Sequence, residues 1–167
     1  YRRQRQMCIR DRYDSMKILA ILAALFLSIG YGHAQTYEKF VEKSFDFLDK
    51  NDLVSAEESL RAAMHLEPGN PNNYALLMNL GTIQRRQGKL EDALLSYTAA
   101  LSRHPNNEAI LENRAGLYTE MGEIEKATND YNALLILNPH HQEALYCRAM
   151  LHLQHKNYLL AEQDFDK

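Results

Sequence analysis

An all-α chain of stacked antiparallel helix hairpins is what this sequence predicts, on three observations. Pro68, Pro105 and Pro139 stand 37 and 34 residues apart, each closing a run whose apolar residues recur at helical spacing. Aligned on those prolines, Ala56, Ala93 and Ala127 fall twelve positions earlier, Leu60, Tyr97 and Tyr131 eight earlier, and Ala63, Ala100 and Leu134 five earlier. Small residues, Ser44, Gly81 and Ala115, stand twenty-four earlier, and a further copy opens at Gln142 with Leu145, Ala149, Ala161 and Phe165 in the matching columns.

Taken in chain order, the elements begin with residues 1–15, "YRRQRQMCIRDRYDS", which resemble the translated adapter strings found at the ends of fragmentary sequence assemblies. They are read as a non-native extension and left out of the fold. From Met16 the order is one lysine, the apolar run "ILAILAALFLSIG", then "YGHA" before Gln35, the three-part layout of a secretory signal peptide. Gly32 and Ala34 suit the small-residue positions, so cleavage is expected between Ala34 and Gln35. The competing reading is a membrane anchor at residues 18–30, but a spanning helix needs about 20 apolar residues. The short single-lysine leader points to a bacterial secretory route, and hence to a periplasmic or secreted protein.

Charge and cysteine content narrow the body. Residues 1–34 hold six Lys/Arg and two Asp, so the total of -3 leaves -7 for residues 35–167. That acidic balance offers no basic patch for a phosphate backbone, and no nucleic-acid partner is expected. The two cysteines are Cys8 and Cys147, which give neither a disulfide framework in the body nor a metal-binding spacing.

Residues 35–167 divide into copies at about 37–70, 74–107, 108–141 and 142–167, the last incomplete. Each complete copy predicts two helices, with Gly88 and Gly122 between them where a left-handed backbone costs glycine little. Proline closes each second helix because it cannot continue one. The three extra residues of the first interval fall in the turn "GNPNN". Small Gly81, Ala93 and Ala100 let the helices approach, while Leu77, Leu80 and Tyr97 fill the space around them. The last copy stops at Lys167 inside its second helix, which leads to the expectation that the protein continues. Charge runs such as "AEES" and "QRRQGKLEDA" are expected on solvated helix faces.

The second copy, "YALLMNLGTIQRRQGKLEDALLSYTAALSRHP", resembles the tetratricopeptide repeat (TPR) at Leu77, Leu80, Gly81, Gly88, Ala93, Tyr97, Ala100 and Pro105. It departs at Gln84, where an aromatic is usual. The third copy keeps Tyr118, Gly122, Ala127, Tyr131 and Pro139 but has Arg114 and Leu134 in place of Leu and Ala. The first keeps Phe40 and Phe47, with Lys43-Ser44 for Leu-Gly, as suits a terminal unit. The resemblance covers residues 37–167 and implies an α-solenoid of three full repeats and a truncated fourth.

TPR arrays bind peptides or partner proteins along the concave face of their first helices. The resemblance lines that face with Glu38, Val41, Phe45 and Leu48, then Ala75, Met78, Thr82 and Arg85. Ala109, Glu112, Gly116 and Thr119 follow, then Glu143, Tyr146, Met150 and Leu153. Met78, Thr82, Arg85, Glu112, Asn113, Tyr146, Met150 and Leu153 are the candidate partner-binding residues, with methionine and tyrosine suited to adaptable contacts. Apolar stripes are also what inter-repeat packing needs, so several of these residues are equally expected in the core. The family's clamp for a terminal carboxylate is absent, since its places hold Met78, Thr82, Asn113, Glu143 and Cys147. His152 and His155 share a helix face, yet two ligands make no metal site.

No nucleophile–base pair or phosphate loop stands out. The expectation is a non-enzymatic exported scaffold, an adaptor or assembly factor of the bacterial envelope, without metal, cofactor or small-molecule substrate. The alternative is a positioning module for a catalytic or membrane domain beyond Lys167.

Overall fold

The computed structural model describes residues 36–167. The expected leader, its anchor alternative at 18–30, the Ala34–Gln35 junction and the adapter-like residues 1–15 lie outside the described residues. Eight helices and no strand occupy the described part: α1 (36–49), α2 (Leu53–Leu66), α3 (Asn73–Arg86), α4 (Leu90–Arg103), α5 (Glu108–Glu120), α6 (Ile124–Leu137), α7 (Gln142–Gln154) and α8 (Tyr158–Phe165). Within the array α3 packs on α4, α5 on α6 and α7 on α8, while α2–α3, α4–α5 and α6–α7 join successive pairs. The first helices form one layer, in which α3 also touches α5, and the second helices form the other.

The proline-referenced columns are the core. Ala56, Ala93, Ala127 and Ala161 are fully buried, and so are Ser44, Ala115 and Ala149 in the facing column. Ser44 takes a polar atom into that column and satisfies it by donating to the Val41 carbonyl at 2.6 Å. Gly81 is required by a close approach, since a Cβ there would lie 2.7 Å from Cε1 of the buried Tyr97 ring. Leu134 fills the column that holds Ala63 and Ala100 in the earlier pairs, and is equally buried.

All four hairpins turn in the same way. Asn51, Gly88, Gly122 and Lys156 have φ of 57°, 76°, 76° and 60°. In each the next residue's N–H reaches the carbonyl five positions back: Asp52 to Phe47, Lys89 to Gln84, Glu123 to Tyr118 and Asn157 to His152. The left-handed turn was expected at the two glycines; the structure extends it to Asn51 and Lys156. Asparagine tolerates this conformation through local hydrogen bonding, whereas lysine has no such compensation. Lys156→Gly should therefore raise stability by about 1 kcal/mol, less a fraction lost to the more flexible unfolded chain. A thermal melt in which this variant is less stable than the parent contradicts that account.

Helix starts use local caps. Asp52 accepts from the Ser55 N–H at 3.1 Å, Asn107 from the Ile110 N–H at 3.1 Å, and the His141 Nδ1 from the Ala144 N–H at 3.3 Å. The inserted turn is stitched down: Asn73 is buried, donates to the Glu67 carbonyl at 2.7 Å and accepts from the Tyr37 hydroxyl at 3.1 Å. Both the cap at His141 and this stitch escaped the periodicity, which registers apolar residues only.

The expected solvated faces are corrected at three positions. Glu57, Ser59 and Gln84 are buried at the seam between the first two helix pairs. Glu57 receives Arg61 Nη2 at 2.8 Å and Lys89 Nζ at 3.1 Å. Gln84 fills the place of the usual aromatic, its amide oriented to donate to Ser96 Oγ at 2.6 Å and to the Asp92 carbonyl at 3.1 Å. Polar residues are tolerated there because each finds a partner.

In the third and fourth pairs the seam is ionic. Arg114 donates to both carboxylate oxygens of Asp130, at 2.7 and 2.8 Å, and reaches Thr98 Oγ1 on the preceding pair at 3.4 Å. Arg148, thirty-four residues on, repeats this with Asp164 and with Asn132 Oδ1 of the preceding pair. Each arginine thus ties its own hairpin together and fixes it against its neighbour. Its hydrogen bonds to Asp130 hold the Arg114 guanidinium above its ordinary range, against the opposing pull of burial.

Candidate partner-binding groove

The first-helix layer carries a groove of about 620 Å³ whose lining includes Arg85 from α3, Gly116 and Thr119 from α5, and Tyr146, Cys147, Met150 and Leu153 from α7. Its volume falls within the range of ligand pockets. α7 supplies most of the wall because Tyr146, Met150 and Leu153 recur at i, i+4 and i+7 along one face. These three side chains are exposed, at 55, 45 and 38 %. Buried Ala144, Leu145 and Ala149 lie on the packed sides of the same helix, and buried Leu151 also lines the groove. The Tyr146 ring leans on Phe165 of α8, with centroids 6.1 Å apart.

Gly116 makes room in the wall. The Arg85 guanidinium crosses it, with Nη1 3.3 Å from the place a Cβ would occupy. Arg85 Nε then donates to Glu120 Oε2 at 2.6 Å, spanning from α3 to α5. The floor is Tyr131 of α6 beneath Cys147. The Tyr131 hydroxyl is raised well above its usual range, first by burial and then by its contact with Cys147. Burial likewise raises the Cys147 thiol, with Glu143 and Glu112 adding to the effect and Tyr131 opposing it. This thiol is therefore a poor nucleophile, suited to packing rather than to chemistry.

Of the eight candidate residues, the structure brings Arg85, Tyr146, Met150 and Leu153 together. Met78 packs against the main core cluster, and the Thr82 hydroxyl lies 3.0 Å from that of Tyr97. The Asn113 amide donates to the Ala109 carbonyl of its own helix at 2.8 Å. Glu112 acts on the groove through its charge, which is felt at both Tyr131 and Cys147. Tyr131 and Cys147 were not among the candidates; Tyr131 stands in the repeat column of Leu60 and Tyr97, and Cys147 drew notice as a place of the absent carboxylate clamp. His152 sits 4.0 Å from Asp164 and His155 ends α7, exposed.

The profile of the Tetratricopeptide repeat family matches residues 46–108 and 113–167. A crystal structure of a tetratricopeptide repeat protein from Parabacteroides merdae is 72 % identical, with a TM-score of 0.78 over 79 % of this chain and 52 % of that one. The chain thus spans about half the length of that protein. MamA from Desulfovibrio magneticus, at 13 % identity, aligns over 78 % of this chain and 72 % of its own with a TM-score of 0.70. The first TPR of Spaghetti (RPAP3) bound to the HSP90 peptide SRMEEVD aligns at 20 % identity over 72 % of this chain and 93 % of its own, with a TM-score of 0.65. These last two share the fold alone. No curated protein sequence matches the chain. Profile, relative and helix pairing agree, and the chain belongs to the tetratricopeptide repeat family.

Proposed function

We propose that this protein is an exported scaffold that holds a peptide or a segment of a partner protein in the first-helix groove, acting as an adaptor or assembly factor of the bacterial envelope. One observation carries the binding reading: α7 turns Tyr146, Met150 and Leu153 outward along a single stripe beside a groove large enough for side chains. Exposed apolar side chains gathered at a groove favour a partner, while singly scattered ones do not. Adaptable methionine and tyrosine contacts fit a segment better than a rigid small molecule. Export rests on the leader read at Met16–Ala34, and among the described residues no helix is long and apolar enough to cross a membrane.

Peptides selected against the chain by phage display should bind with micromolar affinity. Met150→Ala or Tyr146→Ala should each weaken them roughly tenfold, about 1.4 kcal/mol. Leu95→Ala, at an exposed site on a second helix, should leave the affinity unchanged. Equal loss at Leu95 and Met150 would rule the groove out. Export is checked separately: terminal sequencing of the mature protein should begin at Gln35.

A second reading keeps the same groove but places it in a larger protein, where the array positions another domain. The P. merdae relative, of which this chain covers 52 %, extends beyond the aligned part, as both readings allow. A catalytic or membrane domain in the full-length protein supports this reading; further repeats alone support the adaptor.

A further inference from the structure

We propose that the groove selects a segment in which a bulky apolar residue is flanked by lysine or arginine; this rests on the partner-binding reading of the same groove. The apolar part of the match is the stripe of Tyr146, Met150 and Leu153. The charged part follows from which charges near the groove are already spent. Arg85, the cation in the wall, is closed on Glu120 at 2.6 Å and contributes no net charge. Two carboxylates remain. Glu143 Oε1 accepts only the weak Cys147 thiol at 3.5 Å, and Glu112 stands one helical turn before the groove residue Gly116 on α5. Neither is in an ion pair among the described residues.

An apolar wall beside two uncompensated carboxylates attracts a cation and repels an anion. Desolvation by a bound apolar side chain sharpens both effects, because the local dielectric falls. The net charge of -7 over residues 35–167, obtained above from the composition, steers basic segments toward the chain at long range. Specificity therefore includes a repulsive element: an acidic segment meets Glu112 and Glu143, while Arg85, the cation among the described lining residues, is already paired with Glu120.

Fluorescence anisotropy with three labelled peptides and the full chain tests this. The first has a central leucine–phenylalanine anchor flanked by lysines, the second the same anchor flanked by glutamates, and the third is SRMEEVD. The lysine-flanked peptide should bind at least tenfold tighter than either of the others. The Glu112→Gln, Glu143→Gln double variant should shrink that preference to threefold or less, and Met150→Ala should weaken the lysine-flanked peptide. Equal or tighter binding of the glutamate-flanked peptide, still sensitive to Met150→Ala, overturns the charge preference and leaves the binding reading standing. A preference untouched by the double glutamine variant also overturns it. Absence of binding by all three overturns both, as does a dimer in sedimentation that Met150→Glu dissolves, since a second copy would then occupy the groove.

Discussion

Arg114→Leu is expected to destabilise the third helix pair by about 3 kcal/mol, even though leucine is what the second pair carries in the same column. The removed guanidinium is the partner of Asp130, whose side chain is 10 % exposed. Left alone, that carboxylate must be hydrated or protonated in a site built for neither. Asp130→Ser alone should cost a similar amount, because the arginine then loses both of its charge-assisted hydrogen bonds. The second pair shows a neutral solution, with Leu80 and Ser96 where the third has Arg114 and Asp130. The double variant Arg114→Leu, Asp130→Ser should thus recover most of the loss, since a buried ion pair replaced by packed neutral groups is often tolerated. Urea denaturation of the two single variants and the double one measures the coupling. If the double variant loses the sum of the single losses, the ionic pairing is not what makes either residue matter.

Gly81→Val is expected to cost about 3 kcal/mol, lowering the melting temperature by roughly 10 °C. Helix propensity alone would favour replacing glycine, by up to about 1 kcal/mol for alanine. Overpacking wins because of where the new atoms land: a Cβ would meet three atoms of the Tyr97 ring at 2.7, 2.8 and 3.0 Å. The ring cannot swing aside, being fully buried with its hydroxyl 3.0 Å from Thr82 Oγ1. Shortening it should relieve the clash, so Gly81→Val with Tyr97→Leu is expected to lose less than the two changes separately. Full additivity in thermal melts would show that the close approach at this column is not the constraint.

The fold was legible because its constraint is periodic. Alanine at 56, 93, 127 and 161, and small residues at 44, 81, 115 and 149, recur because four helix crossings have the same geometry. Departures from the pattern were harder to read, since their meaning depends on a neighbour. Gln84 and Arg114 looked like lost consensus positions, yet each hydrogen-bonds a residue of the following helix, Ser96 or Asp130. Lys156 looked like an ordinary lysine because backbone sign leaves no mark on composition. At the groove, the family resemblance named Tyr146, Met150 and Leu153, which share a face of one helix. Spacing could not show that Arg85 would cross Gly116 to meet Glu120, or that Tyr131 and Cys147 would close the floor. Those contacts join different helices, and only the stacking of pairs brings them together.

The central claim is that the exposed stripe on α7 is where a partner sits, and amide NMR of the chain titrated with a phage-selected peptide tests it most directly. Chemical-shift changes should concentrate on Tyr146, Cys147, Met150 and Leu153 of α7 and on Gly116 and Thr119 of α5, while the second-helix residues Leu95 and Ile136 stay still. Shifts centred on the second-helix face, with α7 unmoved, would contradict the account.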